Sequence, residues 1–150
     1  QRPLPKRSGP YWRKPNRFGH RGYIASRPVR GQLWPQHVQN LVVRDYAQRN
    51  GLNYLLSATE YAMDACYMNL ETALEELADI EGIICFSLFM LPERPARRRQ
   101  LYDRVFGAGG ELHGALENMA LRDDRDAARL EDIFMVDRHS ATAEVAHGLC

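Results

Sequence analysis

Short apolar segments alternate with amphipathic stretches along this chain from Gly22 onward. The apolar segments predict β-strands at residues 22–25, 53–58, 83–88 and 111–116. The segment at 83–88 is apolar on both faces, which is typical of a central strand in a parallel sheet. Alternation of this kind indicates βα units packed around such a sheet.

The stretches between these strands have helical periodicity. Val38, Leu41 and Val42 recur at helical spacing before Gly51, a residue type common just past a helix end. The same reasoning predicts helices at residues 36–50, 69–79, 94–106 and 122–130, and a last short strand at 133–136. The fold class expected is therefore α/β: a single-domain three-layer sandwich, with a mostly parallel four- to five-stranded sheet flanked by helices.

A length of 150 residues suits one domain with one core. Nine of the 20 Lys and Arg lie in residues 1–30, where there is no acidic residue, and the remaining eleven face all nineteen acidic residues in 31–150. We therefore expect a basic Pro/Arg-rich arm at 1–19, an α/β domain at 20–136 and a frayed tail at 137–150.

The basic arm allows two interpretations. Its aromatic residues Tyr11, Trp12 and Phe18 lie among basic ones, a mixture that suits a phosphate backbone with stacked bases. Alternatively, the arm folds over its own acidic body or over a partner subunit. Because the body is net negative, a nucleic-acid-binding core is not expected.

Several classes of protein do not fit the sequence. No apolar run is long enough to span a bilayer and no secretory signal is visible, so a cytoplasmic protein with no membrane span is expected. Cys66, Cys85 and Cys150 are odd in number and widely spaced, which predicts free thiols rather than a disulfide framework or a zinc site. No metal is expected, because no metal site is visible in the sequence. No organic cofactor is expected, because no glycine-rich phosphate loop is present.

Polar residues occur at or just after the ends of the predicted strands. They are Ser26, Arg27, Ser57, Thr59, Glu60, Ser87 and Glu117. The carboxyl ends of parallel strands meet at one edge of a sheet, where ligands of open α/β folds gather, so these residues are predicted to converge on a site. The alternative is that loop entries are polar simply because helix caps and turns favour such residues.

Within that set, Arg27 is the best candidate for holding an anion, since a guanidinium matches a carboxylate or phosphate with two hydrogen bonds. The candidate catalytic residues are Ser26, His37, Glu60 and Glu117. His37 begins the first helix, where the helix dipole favours a neutral imidazole that can act as a base, although a capping or packing role is the alternative. The other candidate substrate contacts are Ser57, Thr59, Gln36, Asn40 and Tyr67.

Three further residues are of types that can carry chemistry: two cysteines and a histidine. Cys66 precedes the second helix, where the dipole favours a thiolate, and its alternative role is packing. Cys85 is expected in the core, and His113 is expected to be a structural, hydrogen-bonded histidine inside the fourth strand.

Residues 22–120 resemble the catalytic domain of the serine recombinases, the resolvase and invertase group. The resemblance rests on Gly22-Tyr23-Ile24, the first two helices, Gly82-Ile83-Ile84 and residues 111–117. It implies a resolvase-like fold. The family's Tyr-x-Arg-x-Ser motif is altered, because Ala25 and Arg27 occupy the Arg and Ser places and Ser26 is displaced by one. Its Asp-Arg-Leu-x-x-Arg motif is replaced by residues 89–94 (FMLPER), so DNA strand exchange is not expected.

Residues 20–136 also resemble the sporadic carbohydrate cluster proteins, which are encoded among bacterial surface-polysaccharide genes. The segments that carry this resemblance are 21–28 (RGYIASRP), 36–41 (QHVQNL), 55–61 (LLSATEY), 66–68 (CYM) and 87–92 (SLFMLP). The resemblance implies a small enzyme that acts on a sugar or nucleotide-linked sugar in polysaccharide assembly, and a homo-oligomer is expected. The alternative is a non-catalytic, resolvase-like module that dimerises or docks through its basic arm.

Overall fold

A mostly parallel sheet of five strands forms the centre of the protein. The computed structural model describes the backbone of residues 17–148 and the side chains of residues 17–138. The strands are β1 (His20–Ala25), β2 (Tyr54–Glu60), β3 (Gly82–Cys85), β4 (Glu111–Gly114) and β5 (Met119–Leu121). Their order across the sheet is β2-β1-β3-β4-β5, and β5 alone runs antiparallel to its neighbour.

Four α-helices surround this sheet within the described residues: α1 (Gln36–Arg49), α2 (Met68–Glu75), α3 (Pro95–Gly107) and α4 (Asp124–Gly148). Helix α1 packs on one face, where Tyr46 contacts His113 of β4. Helices α2 and α3 lie on the opposite face, and α4 follows β5 and packs against α3. The result is a three-layer α/β domain.

The core is formed where the central strands are covered from both faces. Every residue of β3 is buried, as its continuous apolar pattern predicts. Gly82 begins this strand at a point of close approach: a Cβ there would lie 2.4 Å from the Glu111 carbonyl oxygen and 3.0 Å from Cδ2 of His20. A side chain at position 82 would therefore push apart the first residues of β1 and β4.

The alternating pattern predicted most of these elements correctly. The first four strands and all four helices are present, with boundaries shifted by a few residues except at the end of the fourth helix, which extends to Gly148 rather than to residue 130. Two predictions at the end of the chain are wrong. Residues 133–136 belong to α4 rather than to a strand, and the fifth strand is β5, which the sequence pattern did not indicate. Helix α4 also continues through residue 137, where a tail was expected to begin.

Most of the predicted basic arm, residues 1–16, lies outside the described residues. Residues 17–19 lie against the domain: the Phe18 amide donates to the Asp79 carbonyl at 3.0 Å, and the Gly19 amide donates to Oε2 of Glu81 at 3.0 Å. In the part of the chain that the structure describes, no helix has both the length and the apolar character needed to cross a bilayer.

Candidate functional site

An open cleft lies at the carboxyl ends of β1 and β3. It has a volume of about 620 Å³ and is bounded by the loop after β1, the loop before α2 and the segment that joins β3 to α3. Its charged lining residues are Arg27, Arg30, Arg94, Arg97, Asp64 and Glu93. Four arginines face two carboxylates, so the cleft, which we call the arginine cleft, is net positive.

The guanidinium of Arg27, the predicted anion ligand, forms hydrogen bonds within the protein itself. Its Nη1 donates to three backbone carbonyls of the loop that precedes α2, those of Tyr61 at 3.3 Å, Met63 at 2.9 Å and Cys66 at 2.7 Å. Its guanidinium also lies 4.8 Å from the ring centroid of Tyr67. Arg27 therefore fixes the loop that forms one wall of the cleft.

Arg30 is also engaged. Its guanidinium pairs with the Asp137 carboxylate of α4 and lies 4.4 Å from the ring centroid of Phe89. These contacts hold the loop after β1 against α4 and the segment after β3, and they close a second side of the cleft.

Arg94 and Arg97 differ from the other two arginines. Both are exposed, at the residue before α3 and in its first turn. Within residues 17–138, neither guanidinium has a hydrogen bond or an ion pair, and Arg97 only lies 4.8 Å from the Tyr67 ring centroid. These two side chains are the cationic groups of the cleft that can bind a ligand without giving up an internal hydrogen bond.

The next arginine of the same helix shows the opposite arrangement. Arg98 is buried, and its Nε and Nη2 each donate to the Glu131 carboxylate at 2.7 Å. Its Nη1 donates to the carbonyls of Pro92 at 3.0 Å and Glu93 at 2.8 Å. Arg98 thereby attaches the start of α3 and the segment before it to α4, and it fixes the base from which Arg94 and Arg97 project.

Glu60, a predicted acid or base, is fully buried beneath α2. Its carboxylate accepts hydrogen bonds from the Tyr23 hydroxyl at 2.8 Å and from the backbone amides of Tyr61 at 3.2 Å, Asn69 at 3.1 Å and Leu70 at 3.0 Å. No side chain of the helix caps α2 itself, so Glu60 supplies that cap from β2. Burial, and then the hydrogen bond to Glu60, raise the pKa of Tyr23 far above its usual value.

Glu117 and Ser87 form a second internal cap. The Glu117 carboxylate accepts from the Ser87 hydroxyl at 2.7 Å and from the Leu88 amide at 2.8 Å. The Ser87 hydroxyl in turn accepts from the Phe89 amide at 3.1 Å. The pair shapes the short helical turn Leu88–Met90 that follows β3.

The remaining predicted polar residues form small groups between β2 and the two neighbouring helices. The Ser57 hydroxyl donates to Oδ1 of Asn40 at 2.6 Å and lies 2.7 Å from the Tyr54 hydroxyl. Gly22 leaves room for this group, because a Cβ there would lie 2.3 Å from the Ser57 hydroxyl oxygen. The carbonyl of Thr59 accepts from the Asn69 side chain at 2.6 Å.

The Ser26 amide donates to the backbone carbonyl of Glu60 at 3.1 Å, but within the described residues the Ser26 and His37 side chains form no hydrogen bond or ion pair with the acidic candidates. The Ser26 hydroxyl accepts from Nε2 of Gln36 at 3.1 Å, and His37 is exposed at the start of α1. Of the ten residues predicted for the site, only Arg27 and Tyr67 line the cleft. The structure therefore does not bring the four predicted catalytic side chains together, because they lie on different faces and elements of the sheet.

The cysteines considered for chemistry lie close to or within the core. Cys66 is half-buried, with its Sγ 3.9 Å from Oε2 of Glu60. Cys85 is fully buried in β3, and burial raises the pKa of its thiol well above the usual value.

A second group of ionisable side chains occupies the α1 face of the sheet. His20, Glu111 and His113, which we call the histidine cluster, are all buried, and one donor atom from each lies within 4.8 Å of the others. Nε2 of His20 is 3.2 Å from Oε2 of Glu111, and Nε2 of His113 is 3.5 Å from Oε1. The Tyr46 hydroxyl lies 2.7 Å from Nδ1 of His113, and Nε of Arg122 donates to Oε1 of Glu111 at 2.7 Å.

The protonation state of this cluster follows from its burial and its hydrogen bonds. Burial lowers the pKa of His113 to about 4, so this imidazole is neutral at physiological pH. Burial by itself would raise the pKa of Glu111, but its close contacts with the His113 and His20 imidazoles bring it below its ordinary value. Burial raises the pKa of Tyr46 to about 12, which keeps its hydroxyl protonated.

Sequence reasoning missed two features of these sites. The sequence pattern places Arg94 and Arg97 in a predicted helix, but it does not show that they line the cleft without an ion pair in the described residues. The histidine cluster was represented by His113 alone. Glu111 and His113 are two residues apart on one strand and so share a face, which was a usable signal, but the contribution of His20 depends on the pairing of β1 and β4 with β3.

Comparison with known proteins supports the fold. A crystal structure of a resolvase family site-specific recombinase from Streptococcus pneumoniae is similar, with a TM-score of 0.58 over 86% of this chain and 95% of that chain, at 11% sequence identity. No family model matches the chain, and no curated protein matches it. The domain therefore has a resolvase-like fold.

Proposed function

We propose that the arginine cleft binds the phosphate group of a sugar phosphate or nucleotide-linked sugar, and that the protein acts in bacterial surface-polysaccharide assembly. The observation that carries the binding proposal is the pair of exposed, unpaired guanidinium groups of Arg94 and Arg97 at the cleft. The polysaccharide setting rests on the sequence resemblance to sporadic carbohydrate cluster proteins.

The placement of these arginines suits a phosphate. A guanidinium presents parallel N–H donors that match two phosphate oxygens, and Arg94 and Arg97 are one helical turn apart at the amino end of the 13-residue helix α3. The helix dipole adds positive potential at that end. Asp64 and Glu93 also line the cleft and favour an approach from the arginine side.

The size of the cleft suits a small ligand. Its volume of about 620 Å³ lies within the range common for small-molecule sites. Tyr67 and Phe89 provide aromatic surface at its base. We assign no reaction to the cleft, because Ser26, His37, Glu60 and Glu117 do not line it.

Calorimetry with matched variants tests this proposal. We would titrate the full chain with inorganic phosphate, a hexose phosphate, UDP, a UDP-hexose and the corresponding neutral hexose. The Arg94→Ala/Arg97→Ala double variant is expected to bind the phosphate ligands at least tenfold more weakly, since two charge-assisted contacts are lost. Arg125→Ala, which removes an exposed arginine of α4, is the matched control and should bind as the wild type does.

Two results would contradict the proposal: no binding of any phosphate ligand, or equal affinity in the double variant and the wild type. A preference for a UDP-hexose over UDP and the hexose phosphate would specify the nucleotide-linked sugar. Equal affinity for all phosphate ligands would limit the site to phosphate recognition and would contradict the sugar part of the proposal.

A non-catalytic interaction module is the second candidate. Ile133 and Val136 are exposed apolar residues at i and i+3 of α4, and they favour contact with another protein surface. This function predicts a stable oligomer in light-scattering measurements and loss of the oligomer in Ile133→Asp/Val136→Asp. A monomeric wild-type protein would contradict it.

A further inference from the structure

The histidine cluster is buried and ionisable, and it takes no part in the phosphate binding proposed for the arginine cleft. It lies on the α1 face among the first residues of β1 and β4, whereas the arginine cleft lies at the carboxyl ends of β1 and β3. From this geometry we propose that His20, Glu111 and His113 bind a divalent transition-metal ion, for which Zn²⁺ is the probe.

The donor set is suited to such an ion. Two imidazole nitrogens and one carboxylate oxygen are common ligands of Zn²⁺ and of other first-row divalent metals. Two ligands of one tetrahedral zinc ion lie about 3.3 Å apart, as follows from metal–nitrogen distances of about 2.0 to 2.1 Å. The two histidine-to-carboxylate separations, 3.2 Å to Oε2 and 3.5 Å to Oε1 of Glu111, are close to that spacing, and one donor atom from each residue lies within 4.8 Å of the others. Small movements of the side chains therefore bring three ligands around one ion.

An unpartnered nitrogen atom provides an independent observation. Both histidine side chains are 1% exposed, and within the described residues Nε2 of His113, 3.5 Å from Oε1 of Glu111, has no partner at hydrogen-bond geometry. Buried polar atoms without a partner are rare, because each one has lost its contact with water. Nε2 of His113 faces the Glu111 carboxylate, and a metal ion between them gives that nitrogen a partner.

The surroundings orient the ligands. When the Tyr46 hydroxyl accepts a hydrogen bond from Nδ1 of His113, the lone pair of the ring is on Nε2, the nitrogen that faces Glu111.

Arg122 is the charge that opposes a cation here. Its guanidinium donates to Oε1 of Glu111, and its side chain is 46% exposed. It can therefore turn toward solvent when a metal ion enters. This geometry predicts that removing the positive charge strengthens metal binding. A purely structural hydrogen-bond network predicts no such gain.

The test is metal titration of the untagged full chain after treatment with EDTA. We expect calorimetry with Zn²⁺ to show one site per chain, and the melting temperature to rise with Zn²⁺ because the folded state binds the ion preferentially. Substitution with Co²⁺ should give the visible absorption of a low-symmetry nitrogen and oxygen site without a thiolate charge-transfer band.

Variants locate the site. His113→Ala should weaken Zn²⁺ binding at least a hundredfold, whereas His37→Ala, which removes an exposed histidine, should leave it unchanged. Cys66→Ser/Cys150→Ser should also leave it unchanged, because thiols are not among the ligands. Arg122→Ala should bind Zn²⁺ roughly tenfold more tightly, since a nearby positive charge is removed.

Several results would overturn the metal site. They are no saturable binding by the wild type, equal affinity in a folded His113→Ala, a thiolate band with Co²⁺, or loss of binding in the cysteine variant. If His113→Ala does not fold, Arg122→Ala decides: tighter binding supports the site, and unchanged or weaker binding contradicts it.

Discussion

Charged side chains near the two ends of the parallel strands differ in what they contact. In the histidine cluster, Glu111 is buried and meets two imidazoles and the guanidinium of Arg122. In the arginine cleft, Arg94 and Arg97 are exposed and form no ion pair within residues 17–138. Charged side chains therefore have different roles in the two regions. A charge that is already paired holds parts of the fold together, whereas an unpaired charge is available to bind a ligand.

The contrast also exists within a single helix. Arg97 and Arg98 are adjacent in α3, but Arg97 is exposed at the cleft and Arg98 is buried against Glu131. A surface ion pair contributes little to stability, whereas loss of one partner from a buried pair leaves an uncompensated charge. The comparison therefore predicts large stability losses where charges are paired and buried, and almost none at the cleft.

The largest expected effect is at Glu111. Glu111→Ala should lower the free energy of unfolding by about 4 kcal/mol, because it removes the buried carboxylate that two imidazoles and the Arg122 guanidinium contact. Urea denaturation followed by circular dichroism measures this change. Glu93→Ala is the matched control, since that exposed carboxylate lines the cleft, and its effect should stay within about 0.5 kcal/mol. Similar losses in both variants would remove the contrast between the two regions.

Glu60 is expected to show the next largest effect. Glu60→Ala should cost about 3 kcal/mol, because the Tyr23 hydroxyl and the amides at the start of α2 lose their acceptor inside the core. Thermal or urea unfolding gives the value, with Glu75→Ala on the exposed side of α2 as control. If Glu60→Ala were as stable as the wild type, the Glu60 carboxylate would not be the cap of α2 that its geometry indicates. Glu60 would then again be a candidate for acid or base chemistry.

Local patterns predicted most of the fold because the spacing of apolar residues that distinguishes a strand from a helix is visible within a short segment of sequence. The end of the chain shows where this fails. Residues 133–136 (IFMV) resemble a strand, but they continue a 25-residue helix in which Phe134 packs edge-on against Phe89. Strand β5 has three residues and exists because a turn brings it antiparallel to β4, a pairing that no pattern within the strand reveals.

The candidate site was harder to predict than the fold because the use of a polar side chain depends on distant partners. Arg27 stood out in the sequence, yet the loop that precedes α2 engages its guanidinium. Arg98 differs from Arg97 only through contacts with Glu131, a residue 33 positions further along the chain. Strand ends indicated the edge of the sheet where the cleft lies, but they did not show which cations there form no ion pair within the described residues.

A pH measurement sharpens the contrast at Arg98. Burial by itself would raise the pKa of Glu131, but hydrogen bonds from Arg98 and Tyr102 bring it below the ordinary value of 4.5. A carboxyl with a depressed pKa stabilises the fold above the pKa of the unfolded chain, and that contribution is lost as the pH falls through the lower, folded value. Wild type should exceed Glu131→Gln in unfolding free energy by about 1 to 2 kcal/mol at neutral pH.

This difference should shrink as the pH falls from about 5 toward 3, through the range in which the unfolded carboxyl becomes protonated. Urea unfolding of both proteins at each pH measures it. The titration of Glu111 is common to both proteins and cancels in the difference. A gap that stays constant with pH would show that Glu131 acts by packing rather than by charge.

The smallest expected change in stability is at Arg94, and it tests the cleft side of the comparison. Arg94→Ala removes an exposed guanidinium without an ionic partner in the described residues, so the free energy of unfolding should change by less than about 0.5 kcal/mol. Arg98→Ala in the same helix should cost about 3 kcal/mol, because Glu131 loses its ionic partner and two backbone carbonyls lose their donor. Equal losses of unfolding free energy in the two variants would mean that Arg94 has a structural partner. Arg94 would then not be free to bind a ligand, which would contradict its assigned role in the cleft.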